Sequence, residues 1–360
     1  MNELKRINNI IKRFKISSKP LEIINNNIGL INKSYIIKCQ NEDYVLQKIN
    51  TYVFKKPKNL MFNITLISKH LINKDKRNVK VIETKEDEDY LEINGEYYRC
   101  YSYIEESCSY NTTDNLNILY EFGKTLGLFQ YYLKDFDTHL LYETINNFHN
   151  TPFRLEQLMK MYKNTDDCKK EVDEIYYYII RNRDIIVKIV DALNSGEIPF
   201  AVVHNDTKLN NCLFNKKTNK GICLIDLDTV MKGSRLFDCG DALRSCASTV
   251  PEDDSNYDNV DLDINKFIYF MLGFLNIMKE NLNEKEISLL SDSIIIIALE
   301  CSIRFLTDYL DNNKYFHIDY PEHNLVRAMN QICLANRVLD RKESLDKIIK
   351  SIIKHLENIV

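Results

Sequence analysis

The chain has 360 residues, 44% of them hydrophobic, and a formal net charge of -4 made of interleaved acidic and basic side chains. That length suits two lobes rather than one core, and the lack of a basic stripe argues against a nucleic-acid partner. The ten cysteines (39, 100, 108, 168, 212, 223, 239, 246, 301 and 333) form no CxxC pair and no zinc-ligand spacing, so they read as reduced, mostly buried thiols of a cytoplasmic protein.

Met1 to Ser18 alternates Lys, Arg and Asn with isolated Ile and lacks the apolar stretch of a signal peptide. Strands are predicted over Leu21–Ile24, Ser34–Cys39, Tyr44–Ile49, Lys80–Thr84, Asp89–Ile93 and Glu96–Tyr103, with Asn94-Gly95 supplying the positive φ of a tight hairpin. Between the third and fourth strands, Leu60, Ile64, Ile67 and Leu71 mark one face of a helix from Pro57 to Leu71. The chain thus begins as an antiparallel sheet with one helix packed on it.

From about residue 113 the period turns helical, with Leu119, Phe122, Leu126, Phe129 and Leu133 on one face, and a long helix is predicted from Val172 to Asn194, stopped by Gly196 and Pro199. Phe200–Val203 and Gly221–Ile225 read as short buried strands, and after Asp241 helices run on to Val360. The longest apolar runs, Phe267–Met278 and Ile294–Leu299, fall short of the roughly 20 residues that span a bilayer, so no membrane association is expected. The expected fold is α+β, with a small sheet lobe (1–104), a hinge near 101–108 and a larger helical lobe (109–360).

Residues 204–211 read His-Asn-Asp-Thr-Lys-Leu-Asn-Asn, and the next apolar run ends Ile225-Asp226-Leu227-Asp228. The spacing of His204, Asp206, Lys208 and Asn211 reproduces the catalytic loop of kinases, followed by a strand that ends in Asp. Phosphoryl transfer needs one carboxylate aimed at the attacking hydroxyl and oxygen ligands that hold magnesium on the phosphates. In this reading Asp206 is the base or orients the nucleophile, Lys208 neutralises the moving phosphoryl, Asn211 and Asp226 bind magnesium, and Asp228 is a further candidate ligand. Lys48, on the third strand, is read as the lysine for the α- and β-phosphates, with an exposed strand lysine as the alternative. The segment Thr51–Lys74 holds no Asp or Glu to pair with it, so either Asn63 hydrogen-bonds to it instead or the phosphates alone orient it.

The chain resembles the aminoglycoside phosphotransferase and choline kinase superfamily, and within it the N-acetylhexosamine 1-kinases. The resemblance is carried by Gly29 to Ser34, Tyr44 to Asn50, Ile145 to Arg154, His204 to Phe214, Leu224 to Arg244 and Arg304 to Phe316, nearly the whole chain. It implies a protein-kinase-like two-lobed fold that uses ATP and Mg2+ to phosphorylate the anomeric hydroxyl of a sugar, working as a monomer or weak homodimer. It also implies nucleotide contacts at Gly29 and Asn32 and an adenine-holding hinge at Tyr103 and Ile104, although Gly29 reads equally as a plain hairpin turn. Asp238 is implied to anchor the catalytic-loop backbone, with helix N-capping as the other reading, and His204 is assigned a structural role. Arg304 and Tyr315 match sugar-touching positions; for Arg304 an ion pair with Glu300 or Asp308 remains open. His149 reads as a structural histidine. The rivals are kinases of the same fold acting on choline, homoserine, methylthioribose or aminoglycosides, and a pseudokinase.

Overall fold

The computed structural model describes residues 3–26, 31–165 and 169–358. The first element, helix α1 (Glu3–Ile11), is not signalled by composition, yet Ile7, Ile10 and Ile11 give it one buried face. Six strands follow around one helix: β1 (Pro20–Asn26), β2 (Lys33–Cys39), β3 (Tyr44–Lys48), α2 (Pro57–Lys74), β4 (Val81–Ile82), β5 (Leu91–Ile93) and β6 (Glu96–Ser102). They pair antiparallel in the order β1-β2-β3-β6-β4, with β5 also on β6. Strand alternation then divides the sheet's side chains. Tyr35, Ile37, Leu46, Tyr98 and Cys100 pack under α1, whereas Ile49 and Tyr101 join the core around α2.

The chain leaves this sheet after Ser102 and enters a second one at β7 (Ser107–Cys108), which pairs with β9. The remainder is mainly helical: α3 (Leu116–Tyr132), α4 (Thr151–Lys163), α5 (Lys170–Arg181), α6 (Arg183–Ile186) and α7 (Lys188–Asn194) precede the strands β8 (Ala201–Val203), β9 (Cys212–Asn215), β10 (Gly221–Leu224) and β11 (Met231–Gly233). After them come α8 (Arg235–Cys246), α9 (Ile264–Met278), α10 (Glu284–Ser288), α11 (Leu290–Leu310), α12 (His323–Asp340) and α13 (Lys342–Glu357). The expected α+β layout of a sheet part followed by a helical part is therefore present. Among the described residues no helix is long and apolar enough to cross a membrane, and nine cysteines are unpaired thiols.

Two expectations need correction. The single helix predicted from Val172 to Asn194 is three helices, interrupted at Asn182, whose Nδ2 donates to the Tyr178 carbonyl at 2.8 Å, and again at Val187. Helices also resume at Arg235 rather than after Asp241, since Ser234 caps α8 by accepting from the Leu236 amide.

Helices α3 and α9 cross at backbone contact, which only glycine permits. A Cβ on Gly273 would stand 1.9 Å from the Tyr120 carbonyl oxygen, and one on Gly123 would stand 2.0 Å from that of Phe270. Gly273→Ala is expected to lower stability by about 1–3 kcal/mol, the usual cost of overpacking. Urea unfolding checks this, and an unchanged midpoint would show that the two helices yield without strain.

Candidate active site

The loop after β8 is held by a buried carboxylate. Asp238, in the first turn of α8, accepts from the amides of His204 at 3.0 Å and Asn205 at 2.7 Å, and from Gln130 Nε2 at 3.1 Å. Thr207 Oγ1 donates to the Asp238 carbonyl, and the Thr207 amide donates to Asp241. Burial pushes the Asp238 carboxyl up, although every one of these donors favours its charged form. The helix N-cap is Ser234, so Asp238 serves the loop and not the helix end. His204 ties the same loop to the strand: its Nε2 lies 2.9 Å from the Ile225 carbonyl oxygen, while Nδ1 accepts from the Asp206 amide. Those two partners assign a neutral imidazole with its proton on Nε2.

This scaffold brings the chemistry-bearing side chains together. Asn211 Nδ2 donates to Asp206 Oδ2 at 3.0 Å and to the Asp206 carbonyl at 2.9 Å, leaving Asn211 Oδ1 without a hydrogen bond among the described residues. Lys208 Nζ lies 3.3 Å from Asp206 Oδ1, and that carboxylate raises the lysine's hold on its proton. Asp226 sits at the end of β10 with φ +61°, open to solvent yet walled in by protein. Burial, then the charges of Asp228 and Asp206, push its carboxyl from 3.8 up to about 7, against Arg99 and Lys208. Negative charge in the crevice is thus under-balanced. Among the described residues no three His, Cys, Asp or Glu side chains form a metal cluster, so a tight all-protein cage is not built. An oxygen pair such as Asp226 and Asn211, completed by phosphate oxygens, is what magnesium takes, and the surplus charge fits a divalent cation.

The sheet side departs from expectation. Alternation does place Lys48 with Leu46, but that is the face under α1: Lys48 Nζ pairs with Glu96 at 2.6 Å, and Arg6 of α1 shares the same carboxylate. The nucleotide role expected of Lys48 is therefore corrected, because the cleft face of β3 carries Gln47. Asn63 is no partner for Lys48 either; it is fully buried, exchanges hydrogen bonds with the Tyr142 backbone and donates to the Val230 carbonyl. Asn32 and Asp228 meet each other: Asn32 Nδ2 donates to Asp228 Oδ2 at 2.7 Å, and Arg99 Nη1 stands 2.5 Å from Asp228 Oδ1. Asp228 Oδ2 is taken by Asn32 and Oδ1 faces Arg99 as an ion pair, so Asp228 ties the sheet lobe to the helical lobe. Gly29 lies outside the described residues. In the expected hinge the Tyr103 amide donates to the Asp43 carbonyl, whereas the Ile104 amide makes no hydrogen bond among the described residues.

On the acceptor side, the Arg304 guanidinium lies 4.9 Å from the Phe148 ring centre and 5.4 Å from that of Phe316. Neither expected ion pair forms. Glu300 Oε2 is taken by His149 Nδ1 at 2.8 Å, and Asp308 accepts from the Tyr315 and Phe316 amides and from Asn324. Tyr315 is exposed and its ring meets the edge of Phe316. His149 is structural: Nε2 lies 3.4 Å from the Asn205 carbonyl, so α11 is linked through it to the catalytic loop.

The model of the phosphotransferase enzyme family, APH, matches residues 22–264 of this chain. The chain belongs to that family. Solved structures agree on the fold, at identities that speak to fold alone. A microcompartment-associated aminopropanol kinase is 13% identical with a TM-score of 0.66, over 94% of this chain and 98% of its own. A choline kinase from Cryptosporidium parvum Iowa II is 13% identical with a TM-score of 0.60, over 97% and 98%. A spectinomycin phosphotransferase in complex with ADP and spectinomycin is 15% identical with a TM-score of 0.50, over 92% and 98%.

Within this phosphotransferase the sequence reading missed Arg99, Gln47 and Gln130, and offered Glu300 as a partner of Arg304 where its partner is His149. Arg99 left a signal, a lone charge in the run Tyr97-Tyr98-Arg99-Cys100-Tyr101 at a position that alternation puts beside Gln47. The crevice charge also sets a pH dependence. An unfolded Asp releases its proton near 4, whereas Asp226 in the metal-free fold holds it to about 7, so the native state binds more protons between those values and loses stability as pH rises through them. Thermal melts in EDTA between pH 4.5 and 7.5 are expected to fall more steeply for the wild type than for Asp226→Asn. Parallel curves would mean that the carboxylate is not destabilised.

Proposed function

We propose that this phosphotransferase moves the γ-phosphate of ATP to a hydroxyl of a small neutral molecule, in first place the anomeric hydroxyl of an N-acetylhexosamine. The reading rests on one observation: Asp206, Asn211 and Lys208 contact one another beside the surplus charge of Asp226. Asp206 takes the proton of the acceptor hydroxyl as its oxygen bonds to the γ-phosphorus and the bond to ADP breaks, giving ADP and a phosphate monoester. Lys208, charged and beside Asp206, faces the negative charge that gathers on the transferred group. Asn211 and Asp226 would hold Mg2+, which supplies charge neutralisation on the phosphates when bound.

The acceptor class follows from charge. Arg304 has no carboxylate within ion-pair distance among the described residues and lies against Phe148 and Phe316, so a cationic acceptor would meet a fixed positive charge over an aromatic shelf. A sugar instead offers hydroxyls to the guanidinium and an apolar face to the rings. The named neighbours include kinases of aminopropanol and choline, which makes amino alcohols the second class to test.

ADP release from Mg-ATP should be stimulated by N-acetylglucosamine or N-acetylgalactosamine more than by choline, aminopropanol, homoserine or an aminoglycoside. Asp206→Asn should then lower kcat by about 10²–10⁴-fold with ADP binding kept. Stimulation by choline alone would reject the neutral acceptor. Release from none, with Asp206→Asn indistinguishable from wild type, would reject turnover itself.

A further inference from the structure

The sheet lobe lacks the lysine and helix carboxylate that kinases use to grip nucleotide phosphates. Lys48 is spent on Glu96 beneath α1, and α2 carries no acid. A cation nevertheless reaches the cleft from the neighbouring strand. Arg99 of β6 stands opposite Gln47 in the register, on the sheet face away from α1. Gln47 Oε1 accepts from Arg99 Nε at 2.9 Å and Gln47 Nε2 donates to Ser34 Oγ, so a row of three side chains across β2, β3 and β6 fixes the guanidinium. The ring of Tyr101 lies 5.3 Å from its central carbon. Asp228 meets it from the helical lobe, and Asp226 adds to the field that keeps it charged.

Arg99 is completely buried, yet neither Nη1 nor Nη2 has a hydrogen-bond acceptor among the described residues, and Nη1 meets Asp228 only as an ion pair. A buried guanidinium donor left unpaired is unfavourable. Its planar fork is suited to phosphate oxygens, because two parallel donors match their spacing. We propose, building on the ATP-phosphotransferase reading, that Arg99 binds the nucleotide phosphates, with Asp228 as the carboxylate that orients it. The pair Arg99–Asp228 replaces the lysine and helix glutamate, and its acid comes from the helical lobe instead of α2. Gripping the phosphates then also requires the lobes to be tied together.

Calorimetric titration with ADP and with adenosine, in magnesium, tests this. The expected result is that Arg99→Gln loses about tenfold or more in ADP affinity, as for a lost charged hydrogen bond, while adenosine binds within about twofold of wild type. Arg99→Lys should recover part of the ADP affinity, since it keeps the charge without the fork. Lys48→Ala, on the opposite face, should bind ADP as wild type does. The proposal is overturned if Arg99→Gln binds ADP normally, if it loses adenosine equally, or if Lys48→Ala loses as much; the lysine arm decides even where Arg99→Gln does not fold. Wild type that binds no ADP would instead overturn the phosphotransferase reading beneath it.

Discussion

Three carboxylates, Asp206, Asp226 and Asp228, share one crevice with Arg99 and Lys208 as the cations that offset them. Burial first, and the neighbouring carboxylates Asp228 and Asp206 second, push the Asp226 carboxyl up. The arrangement persists only because the backbone around it is over-determined. Asp238 accepts from two consecutive loop amides, and His204 bridges the loop to the end of β10. Asn205 and Asp226, on either side of that bridge, both hold left-handed backbone. Such strain and unbalanced charge at a single place are the marks of a site built for a ligand rather than for stability.

Hydrogen bonds and one ion pair of this crevice connect the two parts of the molecule. Asn63 of α2 exchanges bonds with Tyr142 and reaches Val230, while Asn32 and Arg99 of the sheet lobe hold Asp228. In kinases a lysine and a helix glutamate join sheet and helix within one lobe. Here Asn32 and Arg99 meet Asp228 across the two lobes. Binding of phosphates at Arg99, as proposed, would therefore be coupled to closure, because one guanidinium belongs to both events.

Much of this was legible in the residues. Period-2 and period-3.6 patterns placed all six sheet strands and α2, since burial on one face leaves a clean alternation in short elements. The catalytic loop and the strand-end Asp226 were legible because their chemistry needs fixed residue types at fixed spacing. Lys48 was not: alternation tells which residues share a face of a strand, but only α1, whose apolar face consists of a few spaced isoleucines, tells which face is outward. Asp228 stayed open for a related reason, as an acid near a metal site and an acid that ties two lobes look alike until Arg99 is seen 129 positions earlier in the chain. The interruptions at Asn182 and Val187 leave the apolar face of α5, α6 and α7 continuous, so periodicity alone does not show them.

The charge imbalance in the crevice leads to one direct measurement. Crystals soaked with Mn2+ and a non-hydrolysable ATP analogue, measured at the manganese edge, should show anomalous density between Asn211 and Asp226, next to the phosphates and within reach of Asp206. Density confined to other surfaces, with Asp226 and Asn211 turned away from the nucleotide, would contradict a phosphotransfer site at this place.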